Sequence, residues 1–207
     1  MDLPSGREFN YAFKASLLGA PMEYRLADDA LEWRKGAYAG RAAYGRIRRM
    51  RLSFRPMTMQ PYRFLAEVWP VDAPKLQIAS TSWKSVFEQQ RLDGEYGAFV
   101  IELNRRVGVA GGNTTFVTGS PVFIYWPGAA VFVGATFGVA ALGVRALQSG
   151  AFAAAGFIAA FLALFMWQAG NFFLRNRPAA YDPDAVPQRV LPKIQAGLRT
   201  TSTEHLA

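Results

Sequence analysis

Seven arginines gather in one stretch of this chain. Arg46, Arg48, Arg49, Arg51 and Arg55 lie within ten residues, and Arg41 and Arg63 flank them. Guanidinium groups at this density can hold anions: lipid headgroup phosphates or the carboxylates of an acidic protein. The plainer alternative is a solvated strand face. Other chemistry has few carriers. There is no cysteine, which excludes disulfides, thiolate zinc sites and a cysteine nucleophile. The single histidine, His205, is third from the end, far from any serine-base-acid arrangement. Asp28-Asp29 is an acidic pair of the kind that makes a turn. The glycines at 108, 111 and 112 lack the Gly-Lys-Ser/Thr ending of a phosphate loop. The expectation is therefore a protein without catalysis, cofactor or metal.

The element that must position the arginines reads as a strand. Strict alternation would set Ile47 opposite Met50, Leu52 and Phe54. A bulge near Arg48-Arg49 would bring all four apolar residues to one core and splay the arginines outward. Around it the period is two. Glu23-Tyr24-Arg25-Leu26 and Ala30-Leu31-Glu32-Trp33-Arg34 alternate about the Asp28-Asp29 turn. Further strands are expected at 42–54, 62–69 and 75–83, with Val71-Asp72-Ala73-Pro74 as a turn. Residues 84–92 carry no clear signal. Tyr96, Phe99, Val100, Leu103 and Val107 then recur at helical spacing. Before all this, residues 1–21 read as an arm. Phe9, Phe13 and Leu17 fit either an apolar segment packed on the domain or a short interfacial helix.

The largest feature lies further on. Residues 122–144 and 146–174 are uncharged runs of 23 and 29 residues, separated by Arg145. About 20 apolar residues span a bilayer, so the expectation is a transmembrane hairpin over 121–174. Residues 108–120 read as a glycine-rich linker and 175–207 as a proline-rich tail, extended or disordered. Of the net charge of +8, the flanks carry most and the turn only Arg145. The positive-inside bias thus puts both termini in the cytoplasm, and the basic excess points to the anionic leaflet instead of nucleic acid. Ala130, Gly134 and Gly138 form one small-residue ridge, and Ala151, Ala155, Ala159 and Ala163 another; both suit close helix packing, first of all within the hairpin. Phe157, Phe161 and Phe165 read as an aromatic face for lipid or a partner.

Several antiparallel strands followed by one amphipathic helix, with Gly45-Arg46-Ile47-Arg48-Arg49-Met50-Arg51-Leu52 as a third-strand pattern, resembles the bacterial pleckstrin-homology-like domains. The likeness covers about residues 22–107. It implies a curved sheet or partly open barrel closed by the helix, which binds lipids, peptides or proteins and is seldom catalytic. The fold class expected is α+β: a pleckstrin-homology-like domain, then the membrane hairpin. Function on this reading is that of a bacterial inner-membrane accessory or structural subunit. Its partners would be membrane lipids and other integral membrane subunits, with a homo-oligomer allowed. The alternative is a tethered adaptor that reads anionic headgroups through the arginine strand.

Overall fold

The computed structural model describes residues 9–57, 61–85 and 88–193; His205, the end of the expected tail and residues 1–8 of the expected arm lie outside these. Strands β1 (Phe9–Phe13), β2 (Met22–Leu26), β3 (Ala30–Lys35) and β4 (Tyr38–Ala43) form an antiparallel meander in that order. Alternation decides its faces. Tyr11, Phe13, Tyr24, Leu26 and Leu31 are buried, while Asn10, Arg25, Glu32 and Arg41 share a rung on the outer face. The helical option for the arm is overturned. Phe9 and Phe13 are four apart, a spacing that also fits a two-residue period, and Tyr11 between them supplies the missing inward residue. Asp28-Asp29 is the expected turn between β2 and β3.

The second sheet has the order β11 (Ala179–Ala180), β10 (Thr115–Thr118), β5 (Ile47–Phe54), β6 (Phe64–Pro70), β7 (Leu76–Ala79). The strand expected over 42–54 is broken by a 3-10 turn at Tyr44–Arg46, where the chain leaves one sheet for the other. Tyr44 is buried at this corner and its hydroxyl donates to the Ala27 carbonyl at 2.7 Å. The bulge occurs as expected. The pairing of β5 with β6 shifts between Ile47 and Arg49, and Ile47, Met50, Leu52 and Phe54 are all buried. The strand expected over 75–83 divides at Ser80, whose hydroxyl accepts the Phe64 amide at 2.9 Å. Beyond it β8 (Thr81–Trp83) pairs with β9 (Gln89–Arg91), which lies in the stretch that carried no sequence signal.

Helix α1 (Asp93–Val109) buries Tyr96, Phe99, Val100, Leu103 and Val107 as its spacing predicts. The two sheets cross. Tyr11 and Tyr24 face each other on neighbouring strands, yet their hydroxyls reach the carbonyls of Ala79 (2.5 Å) and Gln77 (2.9 Å), two residues apart along β7. A step across the first sheet is thus a step along the second.

Two expectations about connections are corrected. The glycine-rich segment is no loose linker: β10 (Thr115–Thr118) pairs in parallel with β5. Nor is the tail a loose segment as far as it is described. β11 (Ala179–Ala180) pairs with β10, Tyr181 packs edge-on against Phe116, and Val190 and Leu191 are buried in the core. Composition hid this because three large side chains suffice to anchor a proline-rich path. Between β10 and β11 run α2 (Val122–Gln148) and α3 (Phe152–Arg175), both long and apolar enough to cross a membrane. Arg145 lies in the last turn of α2, and Gly150, at φ 75°, makes the connection.

Candidate functional site

The sheet and the hairpin meet at one joint. β5 and β10 run side by side toward it, and the Gly119 amide donates to the Leu52 carbonyl at 2.7 Å. Asn176, the first residue past α3, is 1% exposed. Its Oδ1 accepts the Phe54 amide at 3.1 Å, its Nδ2 donates to the Phe172 carbonyl at 3.2 Å, and its own carbonyl accepts the Ser120 amide at 3.0 Å. One residue thus closes the open end of β5 and the end of α3 with its side chain and the entry to α2 with its backbone carbonyl. Gly119 has φ 76°, and a Cβ there would lie 2.2 Å from the Asn176 carbonyl oxygen, so only glycine lets the strands close this tightly. Behind it the Thr118 hydroxyl reaches the Ala179 carbonyl (3.2 Å) and accepts from Arg189 Nη2 (3.0 Å). Neither Asn176 nor Gly119 stood out in sequence. An asparagine between two arginines carries no periodic signal.

The hairpin closes on a seam that differs from the expected ridges. Phe132 packs on Phe165 (5.3 Å between ring centroids) and Phe173 (5.1 Å), and the Tyr125 hydroxyl donates to the Phe173 carbonyl at 3.3 Å. A Cβ on Gly128 would touch Phe173, and one on Gly143 would touch Ile158. By contrast nothing lies within 4 Å of the Cβ position of Gly134 or Gly138, and Ala130 is exposed with them. The ridge Ala130, Gly134, Gly138 therefore faces outward. In the second ridge only Ala155 is buried; Ala151, Ala159 and Ala163 are exposed. The seam instead recurs every three to four residues, at Ala155, Ile158, Leu162, Phe165 and Ala169, the spacing of one face of an α-helix. Phe157 and Phe161 are exposed, but Phe165 belongs to the seam, so the three phenylalanines are not one face.

The arginines of β5 are divided along its length. At about 3.3 Å per residue the strand spans about 25 Å. Arg46, Arg48 and Arg49 sit at the end away from the joint, Arg55 at the joint itself. Arg46 is paired with Asp72 (2.7 Å). Arg48 and Arg49 are exposed and make no ion pair among the described residues. Arg51, mostly buried, lies 3.9 Å from the carboxylate of Glu67 and 5.2 Å above the Trp69 ring; burial lowers its pKa and Glu67 opposes that. Arg55 reaches the same carboxylate at 3.4 Å, and Lys75 also binds it, its Nζ 4.8 Å from the Trp69 ring centroid. Glu67 itself is 1% exposed. So one buried acid answers three cations, and the row does not act as five equal charges. The signal for Glu67 was present: a lone acid in the apolar run Phe64-Leu65-Ala66-Glu67-Val68-Trp69.

Among the described residues no three carboxylate or imidazole groups gather to hold a metal. Comparison of the chain with protein-family models, with curated proteins and with solved structures gives no match.

Proposed function

We propose that this chain is a non-catalytic accessory or structural subunit of the bacterial inner membrane. The hairpin spans the bilayer with both termini cytoplasmic, and it packs laterally on another integral membrane subunit. The β-rich part is a pleckstrin-homology-like domain on the cytoplasmic face. The order supports this: a four-stranded meander, a second sheet lying across it, then one closing helix.

One observation carries the reading. The hairpin is inserted between two neighbouring strands of the domain's own sheet, β10 before it and β11 after it, and Asn176 locks both helix ends to β5. A domain mounted this way is held at fixed height and orientation over the bilayer. That suits a subunit which must present one surface beside a partner. It suits less well the alternative, an adaptor that swings to find headgroups, and Arg48 and Arg49 sit at the end of β5 far from the joint. The outward ridge and the exposed Phe157 and Phe161 leave both helices surface for a neighbour. Extraction in mild detergent followed by native mass measurement is the test. The expected mass is that of a complex with a different subunit. A second copy of this chain would move the reading to a homo-oligomer. A chain that always runs as a monomer would remove it.

A further inference from the structure

We propose that Arg55 and Arg63, at the foot of the hairpin, hold the phosphate of an anionic phospholipid in the cytoplasmic leaflet. This rests on the reading above that the hairpin spans the bilayer.

The position comes first. α3 has 24 residues and is about 36 Å long, enough for a hydrocarbon core of about 30 Å, so its end at Arg175 lies at headgroup depth. Phe54 is bonded to Asn176 directly beyond that end, and the Arg175 guanidinium lies 4.8 Å over the Phe54 ring. Arg55 is the next residue. Its amide donates to the Arg63 carbonyl at 2.9 Å, so the two arginines flank the same rung. Both helices are almost wholly unburied, so they project away from the domain instead of folding back along it.

The charges come second. Arg63 is half-buried and has no carboxylate partner among the described residues; its guanidinium touches Met57 Sδ at 3.3 Å. Burial lowers its pKa and the Arg55 charge lowers it further, with Tyr96 and Glu67 only partly opposing them. Arg55 has only a share of Glu67, which Lys75 and Arg51 also use. Two guanidiniums held side by side in partial burial, short of anions, are complete only with an anion added. The rim suits a lipid. Met57 (57% exposed) touches Arg63, and Tyr62 (53% exposed), next to Arg63 in the chain, carries the Arg91 guanidinium over its ring at 5.1 Å. An apolar and an amphipathic side chain at headgroup depth are of the kind found at membrane interfaces.

The test uses the full chain in nanodiscs of phosphatidylcholine alone or mixed equally with phosphatidylglycerol, with retained lipid read by native mass spectrometry. Wild type is expected to keep phosphatidylglycerol in preference. The double variant Arg55→Gln/Arg63→Gln should reduce that retention on the order of tenfold. Arg48→Gln/Arg49→Gln, at the far end of β5, should leave it unchanged. Equal retention by wild type and Arg55→Gln/Arg63→Gln, or equal loss in the far-end variant, overturns the proposal. Should the double variant not fold, wild type alone decides, since no preference for phosphatidylglycerol over phosphatidylcholine also overturns it. Inorganic phosphate added to the phosphatidylcholine discs is expected not to raise the unfolding temperature; a rise matching that from phosphatidylglycerol would make this a free-anion site and overturn the lipid assignment. Failure to enter nanodiscs at all overturns the spanning reading as well, whereas entry without preference overturns this inference alone.

Discussion

The sheet domain and the hairpin are built on opposite rules. In the domain each strand separates an apolar face from a charged one. Tyr24 and Leu26 go in while Arg25 stays out, and cross-links such as Arg34 to Glu23 at 2.9 Å tie the outer rungs. In the hairpin every face is apolar. The helices meet along Phe132, Phe165 and Phe173 with no ion pair between them among the described residues. Burial from water selects the contact face in the first case. In the second, on the reading that the helices span the bilayer, only shape and close packing can select it. The joint at Gly119 and Asn176 is where the two rules meet, and three tests probe the contrast there and on either side.

The largest effect is expected at the joint. Gly119→Val adds a Cβ that would sit 2.2 Å from the Asn176 carbonyl oxygen, at a φ that β-branched residues avoid. The cost is at least about 3 kcal/mol, and β10 cannot stay paired with β5 without giving way. Thermal unfolding of the full chain in detergent should show a large fall in the domain transition, with new proteolysis at the joint, on the domain side of residues 119 and 176. If Gly119→Val unfolds like wild type, the two halves are not mechanically one piece, and the fixed-orientation argument fails with it.

The contrast also explains what was legible in the residues alone. The hairpin's existence, the β2–β3 turn, the bulge at Arg48 and the face of α1 all follow from periodicity, because water enforces it or because a charge-free run is long enough. The break at Tyr44–Arg46 was not legible, since residues on both sides of a corner keep the same strand-like composition. Strand β10 was hidden by the glycines before and after Thr115–Thr118, which read as a linker. The helix seam was hidden for the reason just given. Small residues occur on several faces of α2 and α3, and the ridge of Ala130, Gly134 and Gly138 looks as packable as the true seam through Gly128, Phe132 and Gly143. As for the basic row, residue type marks the arginines, but only the fold separates Arg55 at the joint from Arg48 and Arg49 at the other end, and only the fold brings Glu67 between them.

A smaller effect sharpens the hairpin side. Phe132→Ala removes ring contacts with both Phe165 and Phe173, each worth about 0.5–1.5 kcal/mol beyond area burial. A loss of about 2 kcal/mol in helix stability is expected. Gly134→Leu places its Cβ where nothing lies within 4 Å, on an exposed face, so the hairpin's own packing should change by less than about 0.5 kcal/mol. The same variant should reduce the mass of the extracted complex, since the outward ridge would lose its close approach to a neighbour. Helix signal at 222 nm against increasing denaturing detergent reads the first quantity, and native mass the second. The reverse order, with Gly134→Leu the more damaging to an isolated hairpin, would return the small-residue ridge to the seam.

The smallest effect separates the halves by acid. Glu102 on α1 accepts from Arg105 (2.7 Å and 2.8 Å) and from Arg106 (2.7 Å). Arg106 in turn donates to the carbonyls of Leu26 and Ala27, so this cluster clamps α1 to the β2–β3 turn. The bond to Arg105, then that to Arg106, holds the Glu102 pKa down, from an ordinary value of 4.5 to about 2, against a burial effect that raises it. A carboxyl depressed on folding contributes stability that is fully present above its unfolded value. That contribution fades as pH falls from near 4.5 toward about 2, because the unfolded chain then binds the proton first. The hairpin seam holds no carboxylate, so nothing in it titrates over this window. Near-UV dichroism, which follows the domain's buried aromatic residues, should therefore show a domain transition that moves to lower temperature with acid, while the helix signal of the hairpin stays level. In Glu102→Gln the domain should start lower at neutral pH and lose less between pH 4.5 and about 2. An acid response of equal size in the variant and the wild type would mean that other carboxylates govern the domain's acid limb and that the α1 clamp is incidental to it.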